Sequence, residues 1–425
     1  MMIHVVKPGD TVYSIARQYN VPMERVISDN ELADPSRLTP GQTLVILFPK
    51  RVVTVRPGDT LARIAAQNGT TVIRLMQDNP QLGGSGAIVP DQQLVLAYEE
   101  PKLGTLAVNG YAYPGIDRAV LRKTLPYLTY LSVFSTGFGP DGRVTPLNDG
   151  GLPDEARWYG ADPLLVLSTL GPDGRFSGER GHVLLQSSAM RQNLIDSLAE
   201  YLPAHGYAGV DVDFEYLPPE DAEAYASFIR ELTARLNPLG LVVFVALAPK
   251  TSTTQRGVLY ESHDYAALAN AANNALVMTY EWGHAGSEPM AVAPLNQVKR
   301  VMDFAVTQAP PEKLFMGVPN YGYDWTLPVE PGTRARSISN VAAVDQAIDV
   351  GAFIDYEWPQ QAPTYTYWQD GRQHEVWFED ARSIRAKLDL ASSLGLRGVS
   401  VWNIMRWFPQ LWSVLNAMFI LEKRR

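Results

Sequence analysis

Gly209-Val210-Asp211-Val212-Asp213-Phe214-Glu215-Tyr216 is the stretch on which the reading of this chain turns. It alternates as a strand does, so Asp211, Asp213 and Glu215 share one face at about 6.7 Å per step. Val210, Val212 and Phe214 share the other face, where they can pack against helices. Three carboxylates on one interior face are costly unless they share protons or do chemistry. Burial and mutual repulsion raise at least one pKa in such a set, which keeps a carboxyl protonated as a general acid near neutral pH. The competing reading, a buried salt-bridge cluster, needs basic partners on neighbouring strands, and the runs described next offer none.

Seven further apolar, β-branched runs flank this one: Thr105–Tyr111, Leu128–Thr136, Leu164–Thr169, Val242–Ala248, Leu276–Tyr280, Leu314–Pro319 and Gly398–Trp402. Near-continuous hydrophobicity of this kind marks parallel strands buried on both faces. Helical periodicity fills the gaps at Ser188–Leu202, Pro219–Leu236, Asp264–Asn273, Gln297–Gln308 and Phe378–Leu394. The alternation predicts an α/β chain with a (β/α)₈ TIM barrel over residues 100–425. A doubly wound sheet is the alternative, but no Gly-rich phosphate loop follows the first strand. Between the last two runs, residues 326–376 form an oversized connection. Thr364-Tyr365-Thr366-Tyr367-Trp368 and Glu375-Val376-Trp377-Phe378 read as a hairpin inserted at the rim where barrel enzymes build substrate walls.

The central stretch resembles the DxxDxDxE signature of the family-18 glycoside hydrolases. Asp211, Asp213 and Glu215 match it, and Ala208 stands where the family has its outermost acid. That acid is not the proton donor, so the departure reads as subfamily variation. By the resemblance, Glu215 is the general acid and Asp213 supports an oxazolinium formed by the substrate's own acetamide, with Asp211 sharing a proton behind it. The reaction is then retaining and substrate-assisted. Met278-Thr279-Tyr280-Glu281 resembles the family's MxYD-like motif, which gives Tyr280 the acetamide contact and puts Glu281 in place of the usual aspartate. Trp402, closing the last run, matches the tryptophan at the floor of the sugar site. Trp282, Asn320, Tyr321 and Tyr323 are further candidates for contact with sugar, each to be weighed against ordinary core packing. No cofactor is implied. The six histidines show no HExxH or comparable spacing, and no metal is expected.

The first hundred residues hold a duplication. Val5-Val6-Lys7-Pro8-Gly9-Asp10-Thr11 returns 49 residues later as Thr54-Val55-Arg56-Pro57-Gly58-Asp59-Thr60, and Asp29-Asn30 as Asp78-Asn79. Each copy reads as a strand, a Pro-Gly-Asp turn, two helices and a closing strand. The pattern resembles the LysM module, a βααβ fold that binds N-acetylglucosamine-containing glycans, with modules at 1–49 and 50–99. Gly9, Asp10, Thr11, Asn30, Gly58, Asp59, Thr60 and Asn79 are the glycan-binding candidates that follow. The bland reading of Pro-Gly-Asp-Thr, a turn that starts a helix, stands beside it.

With 46% apolar and 19% charged residues, the composition is globular. A net charge of −9 gives the whole chain no electrostatic reason to bind nucleic acid or an anionic membrane. There is no cysteine, hence no thiolate chemistry. The N-terminal residues lack the apolar stretch of a signal peptide, and the late run Leu411–Leu421 reads as a closing amphipathic helix. Modules, acid strand, MTYEWG and the stretch from Val376 to Ala381 together resemble the spore-associated subgroup of the family. These are N-acetylglucosaminidases of cortex peptidoglycan, active at germination. The resemblance implies a peptidoglycan partner and a chain made in the mother cell and deposited in the spore cortex or coat. A cell-wall location, a chitinase and a non-catalytic glycan-binding coat protein remain alternatives.

Overall fold

A computed structural model of the chain describes residues 1–171 and 173–424. Eight parallel strands close into a barrel: Thr105–Ala112, Tyr130–Thr136, Asp162–Ser168, Gly209–Asp213, Val242–Leu247, Asn274–Val277, Leu314–Pro319 and Gly398–Trp402, the last pairing back with the first. All eight overlap the apolar runs, the sixth only at Leu276 and Val277, because Met278 to Tyr280 lie past the end of that strand. Alternation separates their two faces. Val210, Val212 and Phe214 join the layer under the helices, while Tyr130, Phe244 and Phe315 plug the barrel interior with ring centroids 4.9–6.2 Å apart. The acids stand above this plug.

The rim insertion is larger than the expected hairpin. Ala362–Gln369 and Arg372–Trp377 do pair as one, but they sit within a five-stranded antiparallel sheet with Gly322–Leu327, Arg336–Ile338 and Asp355–Glu357. The helix Asn340–Val350 covers its far face through Ala343 and Ala347. Two of these strands are three residues long, too short for period-two alternation to register.

The expected closing helix is present at Pro409–Met418, but it is not amphipathic. Leu411, Trp412, Val414, Leu415 and even Ser413 and Asn416 are buried. Its outer side is covered by the two N-terminal modules, so it has no solvent face to reserve for polar residues. A short strand, Ile420–Leu421, then pairs parallel with Thr105 and Leu106.

Each N-terminal module has two strands and two helices: Met2–Val5, Val12–Tyr19, Met23–Asn30, Thr43–Ile46, and then Pro49–Thr54, Leu61–Gln67, Val72–Asp78, Gln93–Tyr98. The first keeps a small core of its own around Ile15, Val26 and Leu44. Apolar residues of the second (Leu61, Ile64, Leu75, Leu94) run on into the barrel's core. Polar pins reinforce the docking. Glu31 takes Lys123 at 2.8 Å and the Trp407 indole N–H at 2.9 Å, and Asn416 donates to Asp78 at 2.9 Å. Two glycines permit the close approach: a Cβ on Gly41 would collide with the Ile354 carbonyl, and one on Gly84 with that of Arg122. Modules of this size gain from sharing a core, because alone they bury little apolar surface.

Candidate active site

The three acids sit at the end of the fourth barrel strand, and their surroundings differ. Asp211 is fully buried, and its Oδ2 accepts from the Tyr111 hydroxyl at 2.6 Å and from Ser132 Oγ at 3.0 Å. Ser132 also lies 3.1 Å from Asn109 Oδ1, and Asn109 donates to Ser400 at 2.9 Å. Among the described residues, Oδ1 of Asp211 and Oδ1 of Asp213 are buried without a hydrogen-bond partner, and no ion pair reaches any of the three acids. A salt-bridge cluster is therefore not what this is. A proton held between two buried carboxyls relieves the cost of two unpaired charges.

Electrostatics follow from burial. Desolvation pushes Asp211 up to about 6 against the help of Tyr111 and Ser132. Asp213 is held well above the carboxylate range by burial, then by Glu215 and Asp211. Glu215 is raised to about 7, again by burial. It lies two residues beyond the last laddered position, Asp213, and is half-buried where the chain leaves the sheet. The backbone then turns through Tyr216 at φ 58°, and Asp221 anchors the loop by accepting from His182 Nδ1 at 2.9 Å and Gln186 at 2.7 Å.

Trp402 is half-exposed at the C-terminal end of the last barrel strand, framed edge-on by Phe134 at 5.1 Å and Tyr111 at 5.3 Å, with Tyr280 nearly parallel to it at 6.5 Å. Burial, then Asp213 and Glu215, keep the Tyr280 phenol neutral and able to donate. The structure thus brings Asp211, Asp213, Glu215, Tyr280 and Trp402 together.

Other sequence candidates have different employment. Glu281 accepts from the hydroxyls of Tyr321 and Tyr323, whose rings are only 8% and 9% exposed. These two tyrosines hold Glu281 rather than offering open stacking faces. Asn320 is buried and spends its amide on the carbonyls of Asn403 and Arg406 at 3.0 and 2.8 Å, so it braces the loop after the last strand. Trp282 is half-buried against the core. In the modules, Asn30 and Asn79 are 6% and 0% exposed. Asn30 donates to Val26 and Val45 carbonyls and accepts from Val45 N–H at 2.7 Å; Asn79 does the same with Leu75 and Val95. These two latches have no donor left for a glycan. Asp10 and Asp59 accept from Lys7 and Arg56 N–H across their turns, and Thr11 and Thr60 cap the first helices, but these turns lie at the surface. Gly9 and Gly58, at φ 88° and 84°, have open space where a Cβ would be.

Tyr111, Ser132 and Asn109 were not among the sequence candidates. Their signal was present: Asn109 and Tyr111 are two apart on the inward face of an otherwise apolar strand, and Ser132 interrupts the next one.

A closed barrel carrying an acid of raised pKa over a buried carboxyl pair, beside a tryptophan floor, defines a glycoside hydrolase. The chain belongs to glycosyl hydrolases family 18, whose model matches residues 174–406, and the LysM model matches residues 4–47 and 53–97. It is 39% identical to the cortical fragment-lytic enzyme of Bacillus subtilis (strain 168), over all of this chain and 99% of the relative. It is 37% identical to the cortical fragment-lytic enzyme of Bacillus anthracis over the full length of both. The crystal structure of the Bacillus megaterium QM B1551 spore cortex-lytic enzyme SleL superposes with a TM-score of 0.85 at 34% identity, covering 100% of this chain and 99% of that one.

Proposed function

We propose that this glycoside hydrolase is an N-acetylglucosaminidase of spore-cortex peptidoglycan that works by a retaining, substrate-assisted mechanism. The observation that carries this is the contrast between Glu215, protonated up to about pH 7, and the deeper Asp213, boxed in with Asp211. Glu215 can give a proton. Asp213, held above its usual range inside the barrel, is a poor free nucleophile but well suited to face an acetamide N–H.

In the first step Glu215 passes its proton to the glycosidic oxygen, and the C1–O bond breaks with its electron pair going to the leaving sugar. The acetamide oxygen bonds to C1, giving an oxazolinium whose N–H points to Asp213. The pair Asp213/Asp211 redistributes its proton as that charge grows, with Tyr111 and Ser132 steadying Asp211. Tyr280 donates to the acetamide oxygen, and Trp402 supplies the floor under the sugar. In the second step a water loses its proton to the Glu215 carboxylate and attacks C1, which expels the acetamide and restores the β configuration. The docked modules would hold glycan at a fixed distance from this centre, and two weak sites on one rigid body raise the effective concentration of substrate. On this reading the protein acts in the spore, where cortex glycan is.

The test is digestion of purified cortex fragments followed by borohydride reduction and mass spectrometry. New reducing ends of N-acetylglucosamine are expected. New muramic ends would contradict the bond assignment; cleavage of chitin oligomers with the cortex left intact would make the protein a chitinase.

A further inference from the structure

Between the fourth and fifth strands the parallel ladder runs from Gly209↔Val242 to Val212↔Val245. One strand residue later the catalytic segment leaves the sheet, and the Phe214 carbonyl, between Asp213 and Glu215, has no strand to pair with. His263 takes it. Its Nε2 lies 3.0 Å from Phe214 O, and its Nδ1 accepts from the Ala248 N–H at 2.9 Å. That second bond fixes the tautomer, because an Nδ1 that accepts leaves the proton on Nε2. The ring is wholly buried.

We propose that His263 is a positioning residue for the general acid: as an Nε2–H donor it fixes the Phe214–Glu215 peptide plane and so aims the Glu215 carboxyl. It rests on the reading of Glu215 as that acid. The surroundings support it. Phe214 is packed against the near-parallel Phe228 and Tyr225 rings at 5.8 and 5.6 Å, which hold its side chain, while His263 holds its carbonyl. The His263 carbonyl is in turn held by the buried Lys250 Nζ at 3.0 Å, and Lys250 N–H by the Tyr265 hydroxyl at 3.0 Å. The titratable groups packed around the ring are thus Lys250, Tyr225 and Tyr265. Burial first, and the nearby ammonium of Lys250, push the imidazole down to about 4, so no proton is added at working pH. An imidazole in this position cannot reach substrate; it acts through the backbone.

The test compares His263→Leu with His263→Gln, whose amide can donate to Phe214 and accept from Ala248. For His263→Leu, kcat on a natural oligosaccharide is expected to fall roughly 10- to 100-fold with KM little changed. The loss should be much smaller on a nitrophenyl glycoside, whose leaving group needs no acid. His263→Gln should recover most of it. Equal losses on both substrates, an effect on KM alone, or no recovery by Gln would overturn the proposal. A measurement on the wild-type protein is independent of folding and activity in the variants. With ¹⁵N-labelled histidine, His263 is expected to stay a neutral Nε2–H tautomer from about pH 5 to 8. A proton on Nδ1, or titration in that range, would equally overturn it.

Discussion

The Tyr111 hydroxyl donates to Asp211 Oδ2 at 2.6 Å, joining the first barrel strand to the fourth at the buried acid proposed to share a proton with Asp213. With Ser132 on the same oxygen, it leaves Asp211 Oδ1 without a hydrogen-bond partner, the oxygen that on the proposed mechanism shares a proton with Asp213. Tyr111→Phe removes the donor without removing the ring that frames Trp402. Expect the fold to survive and kcat to fall roughly tenfold, since a charge-assisted hydrogen bond of this kind contributes about 1.5–3 kcal/mol. Steady-state kinetics beside a thermal melt check it.

The pH profile of kcat/KM should be bell-shaped. Activity falls on the alkaline side as Glu215 loses its proton at about 7. It falls on the acid side as the Asp211/Asp213 pair, with Asp211 near 6, becomes fully protonated and loses its negative charge. A profile still rising past pH 8 would remove Glu215 from the role of acid.

Asp211 also links pH to stability. Its folded value, about 6, lies above the ordinary 3.8, so its contribution is fully present below about pH 3.8 and is lost as pH rises through 6. Between pH 5 and 8 the wild type should lose on the order of 1 kcal/mol through this group. Asp211→Asn, which can still accept from Tyr111, should flatten that slope while depressing activity. Urea melts at the two pH values measure it.

Asn30→Ala and Asn79→Ala each strand buried backbone groups of a closing strand, at a cost of about 3 kcal/mol. The second should also loosen the barrel, because its module shares the barrel's core. Were these residues glycan ligands instead, the variants would melt as wild type and lose only binding.

The eight strands were legible because parallel strands buried on both faces leave a near-continuous apolar signature, and the acid strand because three carboxylates at period two met no basic partner in the neighbouring runs. The duplication gave both modules. It could not say what Asn30 and Asn79 do, since a repeated residue is repeated equally for a latch and for a ligand; only burial separates them. The Phe214–His263 contact joins residues 49 apart in sequence and depends on where the ladder stops, which no local pattern encodes. The same holds for Glu31, whose partners Lys123 and Trp407 lie on the barrel. The inserted sheet escaped because its short strands are held by the neighbours they pair with rather than by their own alternation.

One measurement bears most directly on the account: cortex fragments treated with wild type and with Glu215→Gln, following both sedimented binding and released products. Wild type should release fragments ending in N-acetylglucosamine, and the variant should bind as well while releasing almost none. A variant that keeps releasing product would contradict the assignment of Glu215 as the acid, and with it the mechanism built around it.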